Sequence, residues 1–436
     1  MTRGRWWVAG LCFVGFMGLS CTLGSPGSAE GQMPRGGPEW TGTGEAGSAA
    51  SAGVSALGAN PALLGLRGGP ASSVTVGASG GVGLEPLGLG DLARHQDTPL
   101  SSDTREAWLT EVGRAGSVRG HLGAHGGPLG YQRGPVALQI STTVTGRTVL
   151  DEDAAELLLF GNAGRHGEAR DLEPEKGVME GAVYTGFSAG GGWAVSPAGP
   201  GRLSDGSLSV GAALHLTMAH RFIQGRDRGS VTAGDPTRID MRFGIVDRTP
   251  EARGPVGWGA GLDLGAAWEG ERSRWSLVLR NALNTFQWRA NRLRIRPGEA
   301  HFGDGRGTSD FEPRPLDEAP EELRRAVEAT GFGRSMALAT SWELLRNTRL
   351  LAEARHGQRG GLEPEPASAL SAGLEHRPWS SVPVRAGLGW IRDGYQGGLG
   401  AGWERGPATL DVGLRVRSHD GVRQPGGTAA LTVHLP

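Results

Sequence analysis

Val256 to Trp268 reads VGWGAGLDLGAAW, and its two faces decide the fold. Val256, Trp258, Ala260, Leu262, Leu264, Ala266 and Trp268 are apolar. Gly257, Gly259, Gly261, Asp263, Gly265 and Ala267, between them, are small or polar. Strand side chains alternate sides, so this is a strand with one greasy face and one wet face. Trp258 and Trp268 edge the greasy face, ten residues apart. At about 3.3 Å per residue and a tilt of about 45°, that span projects to roughly 23 Å. The apolar band of an outer-membrane barrel is about 25 Å tall and edged by aromatic girdles. The stretch reads as a lipid-facing wall with its polar side toward a lumen. A half-buried strand of a soluble sandwich shows the same alternation, so the rest of the chain has to separate the two.

The chain has 436 residues, room for two or three soluble domains or one large barrel. Its 77 glycines follow no Gly-X-Y period, which excludes collagen. Hydrophobic residues make up 38 %, and beyond the N-terminus no apolar run is long enough for a membrane helix. That argues against a helical membrane protein but not against a barrel, whose strands are only half apolar. A net charge of −1 supplies no basic field for nucleic acid. Lys176 is the single lysine among many arginines.

The N-terminus, residues 1–29, reads as an export signal. Arg3 and Arg5 are its basic region, Trp6 to Leu19 its apolar core, and Gly27-Ser28-Ala29 its small-residue cleavage site. Cleavage after Ala29 removes both Cys12 and Cys21, as suits an exported chain without disulfides. A competing reading lipidates Cys21. Lipoprotein signals usually carry Leu three places earlier, and Gly18 stands there. Glu30 to Ala50 is Gly, Ser, Thr and Pro with little to bury, and reads as a flexible lead-in.

Ser51 to Leu66, SAGVSALGANPALLGL, is weakly amphipathic and holds Asn60-Pro61-Ala62. Pro61 forces Asn60 out of the helical region and fixes a turn, and the Asn side chain can bond nearby backbone amides to hold it. An N-terminal stretch ending in Asn-Pro-Ala, after an export signal and before a run of strands, resembles the long-chain fatty acid outer-membrane transporters. It also resembles their relatives, among them the PorV-like subunits of a secretion system. In the transporters this stretch forms a small hatch that plugs the barrel. The resemblance thus implies a hatch over 30–72 shaped by Asn60, Pro61 and Ala62, and a barrel over 73–436. A short surface helix with a proline turn is the alternative.

From Val74 onward strands dominate. Val74, Val76, Ala78, Val82 and Leu84 alternate, as do Val136, Leu138, Ile140 and Val144. Two short helices interrupt. Asp103 with Glu106 and Asp153 with Glu156 read as their capping boxes, and Gly113 and Gly161 as their stops. Val183 to Val195 is a strand with Phe187 and Trp193. Leu208 to Phe222 keeps one face over more residues than the 5–6 usual in a sandwich, whereas a bilayer needs about 9–11. Ile239, Met241, Phe243 and Ile245 give a further strand, and Trp275, Leu277 and Leu279 another. Residues 289–331 break the rhythm and read as the longest external loop, folded over the lumen. Its last helix starts at Pro320 and puts Leu323 and Val327 on one side. Strands then return through Met336, Leu370, Val382, Tyr395, Ala408 and Ala429 to Leu435. Tight turns such as Arg392-Asp393-Gly394 join them. The run from Leu370 also resembles the family, with one departure: such barrels usually end on an aromatic residue, and here Leu435-Pro436 stands last.

Two segments fit G-x-S-x-G, Gly77-Ala78-Ser79-Gly80-Gly81 and Gly186-Phe187-Ser188-Ala189-Gly190. A hydrolase of that signature needs the serine on a strand-to-helix elbow. Neither is followed by a helical pattern, and Ser188 sits mid-strand, so the chain reads as no enzyme. Gly88-Leu89-Gly90-Asp91-Leu92-Ala93 lacks the βαβ context of a dinucleotide loop. His215, His220, His376 and His419 have no ligand spacing. No cofactor and no metal are expected. The fold expected is an all-β antiparallel transmembrane barrel of about 14 strands, range 12–16. Its aromatic girdle is Trp258, Trp268, Trp390 and Trp403, and its partners are outer-membrane lipid and a hydrophobic small molecule. The leading function is passage of such a molecule across the outer membrane. The alternatives are a non-transporting structural or secretion-complex barrel of PorV type and a secreted β-sandwich.

Overall fold

The structure is a computed structural model. It describes residues 37–436 apart from 68, 97, 162–164, 166, 168–169, 175–176, 196–205, 233–237, 304–305, 358–361, 363–367, 393 and 420. The export segment with Cys12 and Cys21, Lys176, and Asp393 of the Arg392-Asp393-Gly394 turn lie outside the described residues.

Fourteen strands form a wall. They are β1 (Ser72–Glu85), β2 (Ser117–Arg133), β3 (Val136–Asp151), β4 (Val178–Val195), β5 (Ser207–Asp227), β6 (Gly257–Glu269) and β7 (Ser273–Asn284). The second half is β8 (Ser335–Leu345), β9 (Thr348–Gly357), β10 (Ala369–Trp379), β11 (Val382–Ile391), β12 (Gly394–Arg405), β13 (Ala408–His419) and β14 (Val422–Leu435). Each is antiparallel to the next. β14 returns to pair with β1, from Ser72↔Leu435 to Gly81↔Gly426. The sheet therefore has no open edge, and the sandwich alternative is overturned.

The faces are inverted relative to a soluble protein. Leu388, pointing out, is 74 % exposed, while Arg417, pointing in, is 2 % exposed. Leu214, Leu264, Leu277, Leu338, Leu370, Leu399 and Leu414 share the exposed outer belt. Ser209, His215, Thr217, Asp263, Glu353, Gln396 and Arg415 are buried inside. An apolar belt running round the whole wall far exceeds the patch a soluble monomer leaves in water, and its natural surroundings are hydrocarbon.

Tight turns close one end of the barrel, at 134–135, 270–272, 346–347, 380–381 and 406–407. The opposite end carries the long connections. Two departures from the sequence reading lie there. The strand of Phe243 and Ile245, Arg238–Arg248, is not part of the wall. β5 is 21 residues long and overshoots β6; its last residues, Ile223–Asp227, pair with Arg238–Arg248 instead. Nor is 289–331 irregular. Leu293–Arg296 and Glu299–Gly303 add to the same overhang, and Leu316, Leu323 and Val327 are buried. The helices also begin earlier than read. Ser101 caps Ser102–Ala115, and Asp151 caps Glu152–Phe160 by accepting from the Ala154 N–H at 2.9 Å. Gly161 does end the second, while Gly116, left-handed at φ 74, ends the first. Ser101 and Asp151 stand at the extended residue before the first turn, where a side-chain oxygen reaches the free N–H groups.

Candidate functional site: a plug and a cap inside the barrel

Residues 37–66 enter the lumen and fill it as a plug. Pro38–Gly42 and Val54–Ala59 are its short helices, and Trp40, Ala56, Leu57, Ala59, Ala62 and Leu63 form its apolar centre. The lead-in of the sequence reading thus ends sooner: from Gly37 on it belongs to the plug, with Thr43, Glu45 and Ser48 buried, and 30–36 lie outside the described residues. A stretch of glycine, serine and threonine buries itself here through polar contacts and close backbone approach, not through apolar area.

Wall glycines permit that approach. A Cβ on Gly211 of β5 would strike the backbone of Pro61 and Ala62. One on Gly387 of β11 would strike Thr43, on the opposite side of the lumen.

Asn60, Pro61 and Ala62 sit at the contact with β6 and β7, all buried. Asn60 is extended, at φ −160°, as the following proline requires. Its Oδ1 accepts from the Ala62 N–H at 2.9 Å, which caps the turn Pro61–Gly65. Its Nδ2 faces outward and donates to Ser276 Oγ at 2.8 Å and to the carbonyls of Ala266 and Leu277, each at 3.0 Å. One amide thus shapes the turn and rivets it to the wall.

The other plug anchors were not legible in the sequence. Glu45 holds a left-handed backbone, φ 67, and its carboxylate accepts from Arg415 at 2.6 Å and Arg417 at 2.7 Å, with Arg355 at 3.6 Å. Ser48 Oγ donates to Glu353 at 2.6 Å, and Gln396 donates to the Gly44 carbonyl at 3.0 Å. Arg280 donates to the Ala59 carbonyl at 2.7 Å while its guanidinium lies over the Trp40 ring. Trp40 Nε1 in turn donates to Ser51 at 2.7 Å. The cost of burying these charges is offset by pairing: Arg355, Arg415 and Arg417 converge on the Glu45 carboxylate.

A cavity of about 270 Å³ separates plug from wall toward the tight-turn end. Glu39, His125, Arg385, Asp411, Thr432 and His434 are among its lining. Arg385 bridges Glu375 at 2.7 Å and Asp411 at 2.6 Å, so this crevice is wet and charged.

The long-loop end is the reverse. Tyr184, Phe222, Val246, Val256, Leu293, Leu323, Val327 and Phe332 form an apolar cluster across the mouth, with Phe286 and Trp288 against it. Its rings meet edge to face: Tyr184 on Phe332 at 5.3 Å, Phe286 on Phe332 at 5.0 Å and on Trp288 at 5.1 Å. Trp288 Nε1 is satisfied by the Thr330 carbonyl at 2.7 Å. The helix Glu321–Ala329 supplies Leu323 and Val327, and Glu322 on its other side pairs with Arg226 and Arg228 of the β5 overhang.

The four tryptophans expected to form a girdle divide between the ends. Trp258 and Trp390 lie toward the long loops, Trp390 paired with Tyr395; Trp268 and Trp403 lie toward the tight turns. The tight-turn rim also holds Trp193, Trp275, Trp342 and Trp379, which the sequence reading did not assign. Trp275 sits opposite Trp268 in register and meets Trp342 edge on at 5.5 Å.

Together these features define a closed fourteen-strand barrel with an internal N-terminal plug and an apolar cap. The chain is similar to the CymD monoaromatic hydrocarbon channel at 13 % identity and a TM-score of 0.46, over 92 % of this chain and 97 % of that one. It is similar to a Pseudomonas aeruginosa FadL homologue at 13 % identity and a TM-score of 0.46, over 93 % and 100 %. For the Pseudomonas putida toluene transporter TodX the values are 9 % and 0.42, over 94 % and 98 %. At these identities and scores no residue role and no cargo is carried across. No protein-family model and no curated protein matches the chain.

Proposed function

We propose that this chain is an outer-membrane barrel that binds hydrophobic small molecules at its outer mouth and passes them inward past an N-terminal hatch. The observation that carries this reading is the apolar cap, a cluster of aromatic and aliphatic side chains gathered inside the mouth of an otherwise polar lumen. A hydrophobic molecule leaves water favourably by entering such a cluster. The exposed belt of leucine and valine faces outer-membrane lipid, and the two tryptophan rims mark the interfaces. Residues 37–66 act as the hatch, with Asn60, Pro61 and Ala62 as its hinge against β6 and β7.

The test is uptake of a labelled hydrophobic solute by cells with and without the protein. Faster uptake with it is expected; equal uptake sinks the transport reading. Deleting Ser51 to Leu66 should raise permeability to small polar solutes, and unchanged permeability counts against the hatch. One observation favours a second reading, a barrel that serves a structural or secretion complex without transporting. Glu45, Arg355, Arg415 and Arg417 tie the plug down through buried charges, which suits a plug that never moves. The uptake experiment separates the two.

A further inference from the structure

We propose that the barrel also carries a hydrolytic site, a Ser188–His215–Asp263 relay that cleaves small hydrophobic esters entering the lumen. The substrate class rests on the transport reading above; the relay rests on geometry. Ser188 of β4 lies directly across from His215 of β5 in register. Ser188 Oγ is 2.9 Å from His215 Nδ1, and Asp263 Oδ2 of β6 is 3.1 Å from Nε2. All three are buried. With its proton on Nε2, on the side facing the carboxylate, the imidazole has Nδ1 left to accept the serine proton. That order of groups is what activates a serine, on whatever fold it occurs.

The wall is irregular beside this arrangement. The pairing of β6 with β7 slips between Leu262 and Leu264. Opposite the slip, Asn281 takes a left-handed backbone, φ 49, and donates its N–H to Asp263 Oδ1 at 2.8 Å. Bulges and strained residues often gather beside working side chains.

A candidate oxyanion donor is also present. The inward neighbours of Ser188 along β4 are Gly186 and Gly190, and His215 faces Gly261 across the β5–β6 ladder. The G-x-S-x-G spacing here serves a strand: it puts no side chain on either inward neighbour of the serine, and at Gly190 Leu57 of the plug comes in close. Thr217, two residues from His215 on the same inner face, is fully buried, and its hydroxyl has no hydrogen-bond partner among the described residues. It is the donor for a developing oxyanion. Ser188 is four residues below Tyr184 of the cap, roughly 13 Å along the strand. It is two above Gly190, where a Cβ would meet Leu57 of the plug. A molecule passing from cap to plug therefore passes Ser188.

Ser188 Oγ attacks the ester carbonyl carbon as its proton moves to His215 Nδ1. The carbon–oxygen bond to the alcohol breaks, and His215 returns that proton to the departing oxygen. Water then attacks the acyl group on Ser188, gives its proton to His215, and the acid leaves as Ser188 is reprotonated. Water is the only co-reactant, and nothing is oxidised or reduced.

Purified full-length protein, treated with a short alkyl fluorophosphonate and analysed by peptide mass, tests the relay. The expected result is a phosphonylated Ser188, with p-nitrophenyl butyrate turnover that falls at least about 100-fold in Ser188→Ala and His215→Gln. Asp263→Asn slows labelling by about 10-fold or more. Heat-modifiable gel migration shows that each variant is folded. A folded chain unlabelled at Ser188, both as it is and with the cap opened by Tyr184→Ala, overturns the proposal. So does label on another serine with turnover intact in Ser188→Ala. Solute uptake is read in parallel: label on Ser188 without uptake refutes the transport reading and keeps the relay, and uptake without label does the reverse.

Discussion

Asn60 shows how much one side chain carries in this protein. Its amide oxygen caps a turn and its amide nitrogen reaches three acceptors on β6 and β7. Asn60→Ala strands a buried N–H and buried acceptors, at a cost of about 2–3 kcal/mol to plug docking. Asn60→Asp keeps the cap but turns a carboxylate toward two carbonyls, so it should be at least as damaging. Faster proteolytic cleavage within 37–66, with unchanged heat-modifiable migration of the barrel, is the expected readout. Equal cleavage of Asn60→Asp and the unsubstituted chain would contradict the rivet. Glu39 supplies a pH dependence. Burial, then Asp411, push its carboxyl above its ordinary value of 4.5, against the pull of Arg385. The docked plug thus binds that proton better than the released one does. Its contribution is complete below the ordinary value and is lost as pH rises through the raised one. Plug cleavage should accelerate with rising pH across that window, and Glu39→Gln should flatten the curve. Cleavage that slows with rising pH would reverse the sign and refute the assignment. Of these residues only Asn60-Pro61-Ala62 was legible beforehand, because a proline writes its constraint on its neighbour locally. Glu45 and its arginines lie more than 300 positions apart in the chain, and no local pattern joins them.

At the scale of elements, the wall strands and the cap differ in how they declare themselves. A wall strand meets lipid on one side and the lumen on the other, so its period of two is visible in VGWGAGLDLGAAW and in most of its neighbours. The cap is assembled from β4, β5, the β5 overhang and the stretch Phe286 to Phe332, each giving one to a few apolar residues. Leu323 and Val327 stood out only as one side of a short helix. Charged residues around them made the region read as an external loop folded over the lumen, without the strands and the buried cluster it contributes. If the cap is the entry site, Phe332→Ala should weaken hydrophobic-solute uptake several-fold at low solute concentration and leave the plug's resistance to protease unchanged. The side chain is 6 % exposed and touches two other rings, so its loss removes ligand contacts together with roughly 3 kcal/mol of packing. Uptake equal to that of the unsubstituted chain at every concentration would place entry elsewhere. Glu322→Gln, by contrast, touches exposed ion pairs and should change stability by less than about 1 kcal/mol.

For the molecule as a whole, closure is the governing condition. β14 joins β1 over ten register pairs, and without that seam two strand edges would lie unsatisfied in hydrocarbon. A chain ending before Val422 should fail to form a heat-modifiable barrel, and one that still forms it would show that the seam is dispensable. The sequence by itself determined the class. Alternation and strand length point to a membrane barrel, an architecture that satisfies every backbone group in lipid, and the count of about 14 strands came with the family resemblance. What it could not determine is the inside. Tertiary structure alone decided that Gly37 to Ala50 joins the plug, that the β5 overhang leaves the wall, and that Ser188, His215 and Asp263 meet. The reason is physical: a strand's outer face is selected by the solvent, which every residue feels independently. Its inner face is selected by partners that arrive from distant parts of the chain and become neighbours only when the cylinder closes.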